Sequence, residues 1–277
     1  MKKIAIMFLV LTGLMFADIA ATRADLMITP IRAVFDGRDR SKVITLINTS
    51  NKTRTYRMGW VLYTLNDQGN YEEVETLTGP DGKDRSAMEM IRFSPRQVTI
   101  EPQGRQRIRL SLRRPADLEP GEYRAHLSIT RLADDGVDNL NSSRQGASTV
   151  MKLNLAFSIP VIVREGDLQP NVEMQSPEFV NTVKDGKADP KLYFKLVNKG
   201  SEVSSYGQVK AYWTPSSGQT EEVGLLNNVS LYPENESRNY SIRIKKNSLS
   251  NGILTLVYSG QEEYKDVIFD KKSFNIK

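Results

Sequence analysis

The chain has 277 residues, 39% of them hydrophobic and 26% charged, a globular composition at a length that suits two domains of roughly 100–150 residues each. It holds no cysteine and a single histidine, His126, which removes disulfides, thiolate metal sites and cysteine nucleophiles and would force any serine triad through one imidazole. A formal net charge of +5 is too small for a nucleic-acid footprint.

Met1-Lys2-Lys3 is a short positive start, and residues 4–16 are apolar apart from Thr12 and Gly13. That length suits the core of a secretory signal and is too short to span a bilayer. The small-residue segment Ala20-Ala21-Thr22-Arg23-Ala24 predicts cleavage ahead of Asp25, so residues 1–24 are expected to be a cleavable signal peptide. Their removal takes away three cations and one anion, lowering the formal charge from +5 to +3. An exported chain of this size without disulfides points to a bacterial envelope. Asn-x-Ser/Thr triplets begin at Asn48, Asn51, Asn141, Asn228, Asn235 and Asn239; between apolar runs these residues are read as turn formers.

Nearly every strong pattern after residue 25 has period two. Residues 42–47 stop at the turn Asn48-Thr49-Ser50-Asn51, and residues 54–63 resume with Tyr56, Met58, Trp60 and Leu62 on one face. Further strands are expected over 97–100, 106–112, 123–132 and 150–163, separated by turns at Pro102-Gln103-Gly104, 115–121 and Asp134-Asp135-Gly136. Residues 132–149, rich in Asp, Asn, Ser and Gly, form a loop before the last of these strands. The polar turn Glu165-Gly166-Asp167-Leu168-Gln169-Pro170 sets a boundary near 166, after which strands are expected over 191–197, 208–213, 229–232, 239–244, 252–258 and 267–276. The expected fold is all-β, with two immunoglobulin-like β-sandwich domains over 25–165 and 166–277 and a cleft between them.

Three strings carry a resemblance. Ile31-Arg32-Ala33-Val34-Phe35-Asp36-Gly37 resembles the first strand of the PapD-like periplasmic chaperones of the chaperone–usher pilus pathway. Ile91-Arg92-Phe93-Ser94-Pro95-Arg96-Gln97-Val98, continuing through Pro102-Gln103-Gly104 to Ile108-Arg109-Leu110, is similar to the same family, as is Phe157-Ser158-Ile159-Pro160-Val161-Ile162-Val163-Arg164. The last string and Tyr206-Gly207 resemble the archaic, Csu-like branch more than the P-pilus chaperone. The likeness covers most of residues 25–165 and is weaker beyond.

The resemblance implies an L-shaped pair of domains and donor-strand complementation, in which the chaperone lends a strand to a pilin that lacks one and then delivers it to an outer-membrane usher. Such a strand must alternate, and Met151, Leu153, Leu155 and Phe157 share one parity while Lys152, Asn154 and Ala156 share the other. Periodicity alone fits a strand packing its own core equally well; the resemblance points to donation by Met151, Leu153 and Leu155, with Phe157 structural. It also implies an anchor for the pilin's terminal carboxylate, for which charge-assisted partners are needed. Arg32 occupies the arginine position. For the second cation Lys152 and Arg96 are both candidates, because Leu155 stands where the P-pilus chaperone has its lysine. No cofactor, metal, nucleic acid or small-molecule substrate is implied; the expected place is the periplasm, and a self-capping dimer of the free chaperone is a further expectation.

Two rival functions share parts of this pattern. An enzyme lacks support: the carboxylate pairs Asp134/Asp135 and Glu262/Glu263 sit in polar, turn-like contexts where solvation is expected, and His126 reads as a structural strand residue. A two-domain immunoglobulin-like surface adhesin or structural protein shares the fold, but an exposed apolar edge strand would be an aggregation liability for it.

Overall fold

The computed structural model describes residues 25–66, 69–132, 155–181, 183–184, 186–216 and 218–276. The expected signal peptide, the loop of residues 133–149, and Met151, Lys152 and Leu153 lie outside the described residues.

The first half contributes β1 (Leu26–Thr29), β2 (Ala33–Phe35), β3 (Ser41–Asn48), β4 (Arg54–Leu65), β5 (Tyr71–Val74), β6 (Ile91–Ser94), β7 (Gln97–Ile100), β8 (Arg105–Leu112), β9 (Gly121–Arg131) and β10 (Ala156–Glu165). One sheet runs β1-β3-β8-β6; the other runs β2-β10-β9-β4-β5, with β7 also on β4. Alternation decides which side chains meet between them. Ile44 and Leu46 of β3, Ile108 and Leu110 of β8, Leu127 and Ile129 of β9 and Val161 and Val163 of β10 are fully buried and form one core. Each such side chain contributes about 1.5–3 kcal/mol by leaving water.

The string around Arg32 suggests a single first strand, whereas the chain here divides between both sheets. β1 pairs antiparallel with β3, and after Pro30, which has no N–H to continue the ladder, β2 crosses over to pair parallel with β10. Residue 32 therefore sits at a crossing between layers rather than in the middle of a strand.

The second half forms β11 (Val172–Val180), β12 (Val183–Lys184), β13 (Lys187–Ala188), β14 (Lys191–Asn198), β15 (Ser205–Pro215), β16 (Glu221–Leu231), β17 (Ser237–Arg243) and β18 (Gly252–Gly260), then a 3-10 turn over Glu262–Tyr264, then β19 (Ile268–Ile276). The sheets β11-β14-β17 and β16-β15-β18-β19 enclose a second core around Leu192, Leu196, Val209, Ala211, Leu254 and Leu256. β11 escaped the sequence reading because its period is broken. Ser176 has a left-handed φ of 49° and the register slips between Gln175 and Glu178, with Pro177 in the gap. The two cores share no residue, and the architecture is a pair of immunoglobulin-like β-sandwiches.

Candidate subunit-binding edge and junction cleft

β9 turns Tyr123, Ala125, Leu127 and Ile129 into the first core, so Glu122, Arg124 and His126 face the other way. These three are 4%, 1% and 2% exposed; Glu122 and Arg124 meet residues of the second half, whereas His126 packs on rings of the first. Glu122 accepts from Arg164 Nε at 3.1 Å, from the Ser204 backbone N–H at 3.0 Å and from its hydroxyl at 2.8 Å. Burial by itself would raise the Glu122 carboxyl; Arg164 first, then Arg124 and the two Ser204 bonds, outweigh it and hold the group below its usual value. Arg124 lies 3.7 Å over the Tyr232 ring and is clamped by Glu234, with Nη2 donating to the Tyr63 carbonyl at 3.3 Å. A network of buried ion pairs thus joins the halves.

His126 sits between the rings of Tyr63 and Tyr71 at 5.2 and 5.9 Å. Neither ring nitrogen has a hydrogen-bond partner among the described residues. Burial, with Arg124 close by, pushes the imidazole down to about 3, so it is neutral at physiological pH. That environment packs a ring and offers no general base. Among the described residues no group of three His, Cys, Asp or Glu could hold a metal ion.

Arg32 immediately precedes β2 at the junction and is 7% exposed. Its guanidinium lies 4.0 Å over the Tyr206 ring, and Nη2 forms an ion pair with Glu263 Oε1 at 3.2 Å. Nε and Nη1 are buried and have no partner among the described residues. An idle buried donor costs about 1–3 kcal/mol until something accepts from it. Beside it a cleft of about 230 Å³ is lined by Pro30, Arg32, Val34, Lys42, Val43, Glu262 and Glu263.

β10 carries the other half of the site. It pairs with β9 along its whole length, Ala156 to Glu165, but with β2 only from Val161 to Val163. From Ala156 to Pro160 its second edge has no strand partner among the described residues. Pro160, which cannot donate to a ladder, is tolerated in this segment because the edge is open. Since Ala33 is the parallel partner of Val161, Arg32 lies opposite Pro160, where the open edge ends.

Leu155, just ahead of β10, is 39% exposed; Phe157, on the same parity, is half-buried and packs on the first core, and Ile159 is buried in it. Arg96 is exposed in the turn between β6 and β7 and lines a different groove with Met58, Trp60 and Phe93. It is not brought together with Arg32. The cation that shares the cleft of Arg32 is Lys42, which has no counterpart in the sequence reading. Glu263 lies in an exposed turn, as its polar context suggests, and one of its oxygens also lies 3.2 Å from Arg32 and 3.1 Å from Arg164. No sequence signal shows that, because the contact spans the two halves of the chain.

The chain matches no protein-family model. No curated protein matches it either. Among solved structures it is similar to the YadV chaperone, at 12% identity over 91% of this chain and 100% of that one, with a TM-score of 0.44. It is also similar to the CsuC–CsuE chaperone–tip adhesion subunit pre-assembly complex from the archaic chaperone–usher Csu pili of Acinetobacter baumannii, at 13% identity over 91% and 98%, TM-score 0.43. A further likeness is to the Salmonella enterica SafA pilin in complex with the SafB chaperone, at 10% identity over 93% and 99%, TM-score 0.43.

Proposed function

We propose that this protein is a periplasmic chaperone that captures pilus subunits by strand addition, completing the subunit's sandwich with residues of and before β10 and delivering it to an outer-membrane usher. The observation that carries the reading is the half-open edge of β10 ending at a buried arginine. An incoming strand lying along Ala156 to Pro160 would gain ladder bonds over about 17 Å. At the end of that edge it meets the start of β2, and with it Arg32. A chain running parallel to β10 brings its C-terminal carboxylate there, within reach of a guanidinium whose Nε and Nη1 have N–H groups left to donate. An antiparallel chain would bring an ammonium against a buried cation. Arg32 therefore favours one strand direction and one kind of chain end.

In this reading Leu155, with Met151 and Leu153 on the same parity, supplies apolar side chains to the subunit groove, and residues 25–165 form the subunit-binding domain. Lys152 remains the proposed second cation on the donor strand, and Arg96 is the weaker candidate on account of its separate groove. The buried ionic junction would hold the second domain in place so that the cleft keeps its shape. No catalytic step and no nucleotide belong to this function.

The test is co-expression of the full chain with a candidate pilin and isolation of the complex from the periplasm. A stable one-to-one complex that is lost on Arg32→Ala or Leu155→Asp, with the chaperone still folded, is the expected result. A chain that captures no pilin and is recovered at the cell surface would overturn the reading.

A further inference from the structure

The free protein faces a difficulty at Arg32: a cation 7% exposed must wait for its ligand without a counter-charge of the ligand's own. Removing one partner from a buried ion pair leaves an uncompensated charge that strongly destabilises a fold. The structure supplies a partner from the second half of the chain. Resting on the chaperone reading above, we propose that Glu263 is a resident stand-in for the subunit's terminal carboxylate. It holds Arg32 in the free protein and gives it up to an arriving chain end, remaining on Arg164.

Four observations point to a placed group and not a chance contact. The turn that bears Glu263 is bent by left-handed residues on both sides, Glu262 at φ 54° and Asp266 at φ 73°, a conformation that persists in non-glycine residues only where the surroundings impose it. Those surroundings are specific: Tyr264 is buried with its hydroxyl donating to the Ser204 carbonyl at 3.0 Å, and the Gln261 N–H donates to the Tyr206 carbonyl at 3.1 Å. Tyr206 is also the ring under Arg32, so one loop positions both the guanidinium and its carboxylate. Lastly, the contact is a poor one for Arg32. A single Glu263 oxygen is shared between Arg32 and Arg164, and two of the three guanidinium nitrogens of Arg32 are left idle.

The exchange is favourable for those same reasons. A chain-terminal carboxylate can meet Arg32 with two parallel N–H···O bonds where Glu263 makes one. On losing Arg32, Glu263 still has Arg164 at 3.1 Å and is not stranded. Arg164 in turn keeps Glu122. Lys42 also lines the cleft, where Asp39 holds its ammonium at 2.6 Å. The cost of displacing Glu263 is then set against every incoming chain, so only one presenting a free carboxylate on a well-paired strand removes it.

The experiment is calorimetric titration of the full exported chain with a short N-acetylated Thr-Val alternating peptide, once with a free carboxyl end and once amidated. Wild type should bind the free acid more tightly than the amide. Glu263→Gln should tighten the free acid by about tenfold, equivalent to about 1.4 kcal/mol, leave the amide unchanged, and lower the melting temperature of the unliganded chain. Glu263→Asp, which keeps the charge and shortens its reach, should shift affinity in the same direction and serves if the Gln variant does not fold. If wild type prefers the free acid and neither variant tightens it, Glu263 is a structural tie and the inference fails while the chaperone reading stands. If wild type and both variants bind acid and amide alike, or bind neither, the carboxylate site of the chaperone reading falls and the inference falls with it.

Discussion

Glu122 and Arg164 stand directly opposite one another on β9 and β10, with Arg164 Nε 3.1 Å from Glu122 Oε2. Strand register therefore fixes the pair at the centre of the junction, and Ser204 of the second half closes on it with two further bonds. Glu122→Ala leaves Arg164 buried with Glu263 as its remaining carboxylate. The expected loss is about 3–5 kcal/mol, read as a lower urea midpoint with little change in slope.

Leu155 and Ile159 share a parity and differ in environment, at 39% and 4% exposed. Leu155→Asp should leave the melting temperature within about 2 °C of wild type, a shift expected of a surface change, and abolish recovery of a pilin complex from the periplasm. Ile159→Asp buries an unpaired carboxylate and should prevent folding of the first sandwich. Loss of both properties in both variants would remove the distinction between donor segment and core.

His126 gives the chain an acid sensitivity of defined sign. Folded, the imidazole titrates at about 3 because burial and Arg124 disfavour its cation, against 6.5 when exposed. Between those values the unfolded chain binds the extra proton, so stability falls as pH drops, by at most about 1.4 kcal/mol per pH unit, and is unaffected above the upper value. His126→Phe should gain about 3 kcal/mol relative to wild type between about pH 7 and about pH 4. Parallel stability curves for the two proteins would contradict this.

Asn48 is fully buried where β3 ends, and its amide donates to the carbonyls of Lys52, Ile100 and Glu101 at 2.7, 2.9 and 3.2 Å. Its carbonyl oxygen accepts from the Ser50 N–H at 3.1 Å. The residue ties a turn to the neighbouring β7 and is not open to a glycan. Asn48→Ala leaves the buried Ile100 carbonyl without this donor and removes the other three bonds, and should cost about 1–3 kcal/mol in urea unfolding, with no effect on how tightly a complex, once formed, is held.

Period-two alternation was enough to identify the strands that bury one face against a core. Residues 42–47, 106–112 and 252–258 needed nothing else, because burial of Ile44, Ile108 and Leu254 is dictated by their own alternation. β11 was hidden, since the bulge at Ser176 and the proline that follows erase the local period while pairing with β14 resumes beyond it. The division of the first strand was hidden as well, for a change of sheet leaves the alternation of each piece intact.

The sequence by itself determined the all-β class, the turns, the parity of Leu155 and Phe157, and the presence of Arg32 within a family-like string. These are properties of neighbouring residues. Only the tertiary structure decided that Arg32 lies opposite Pro160 where the edge of β10 opens, that Lys42 and not Arg96 shares its cleft, and that Glu263 occupies it. Each of those facts is a distance between residues far apart in the chain. Such distances follow from how the two sandwiches pack at their junction, where a carboxylate on a polar turn becomes a counter-ion because two buried guanidinium groups are already there.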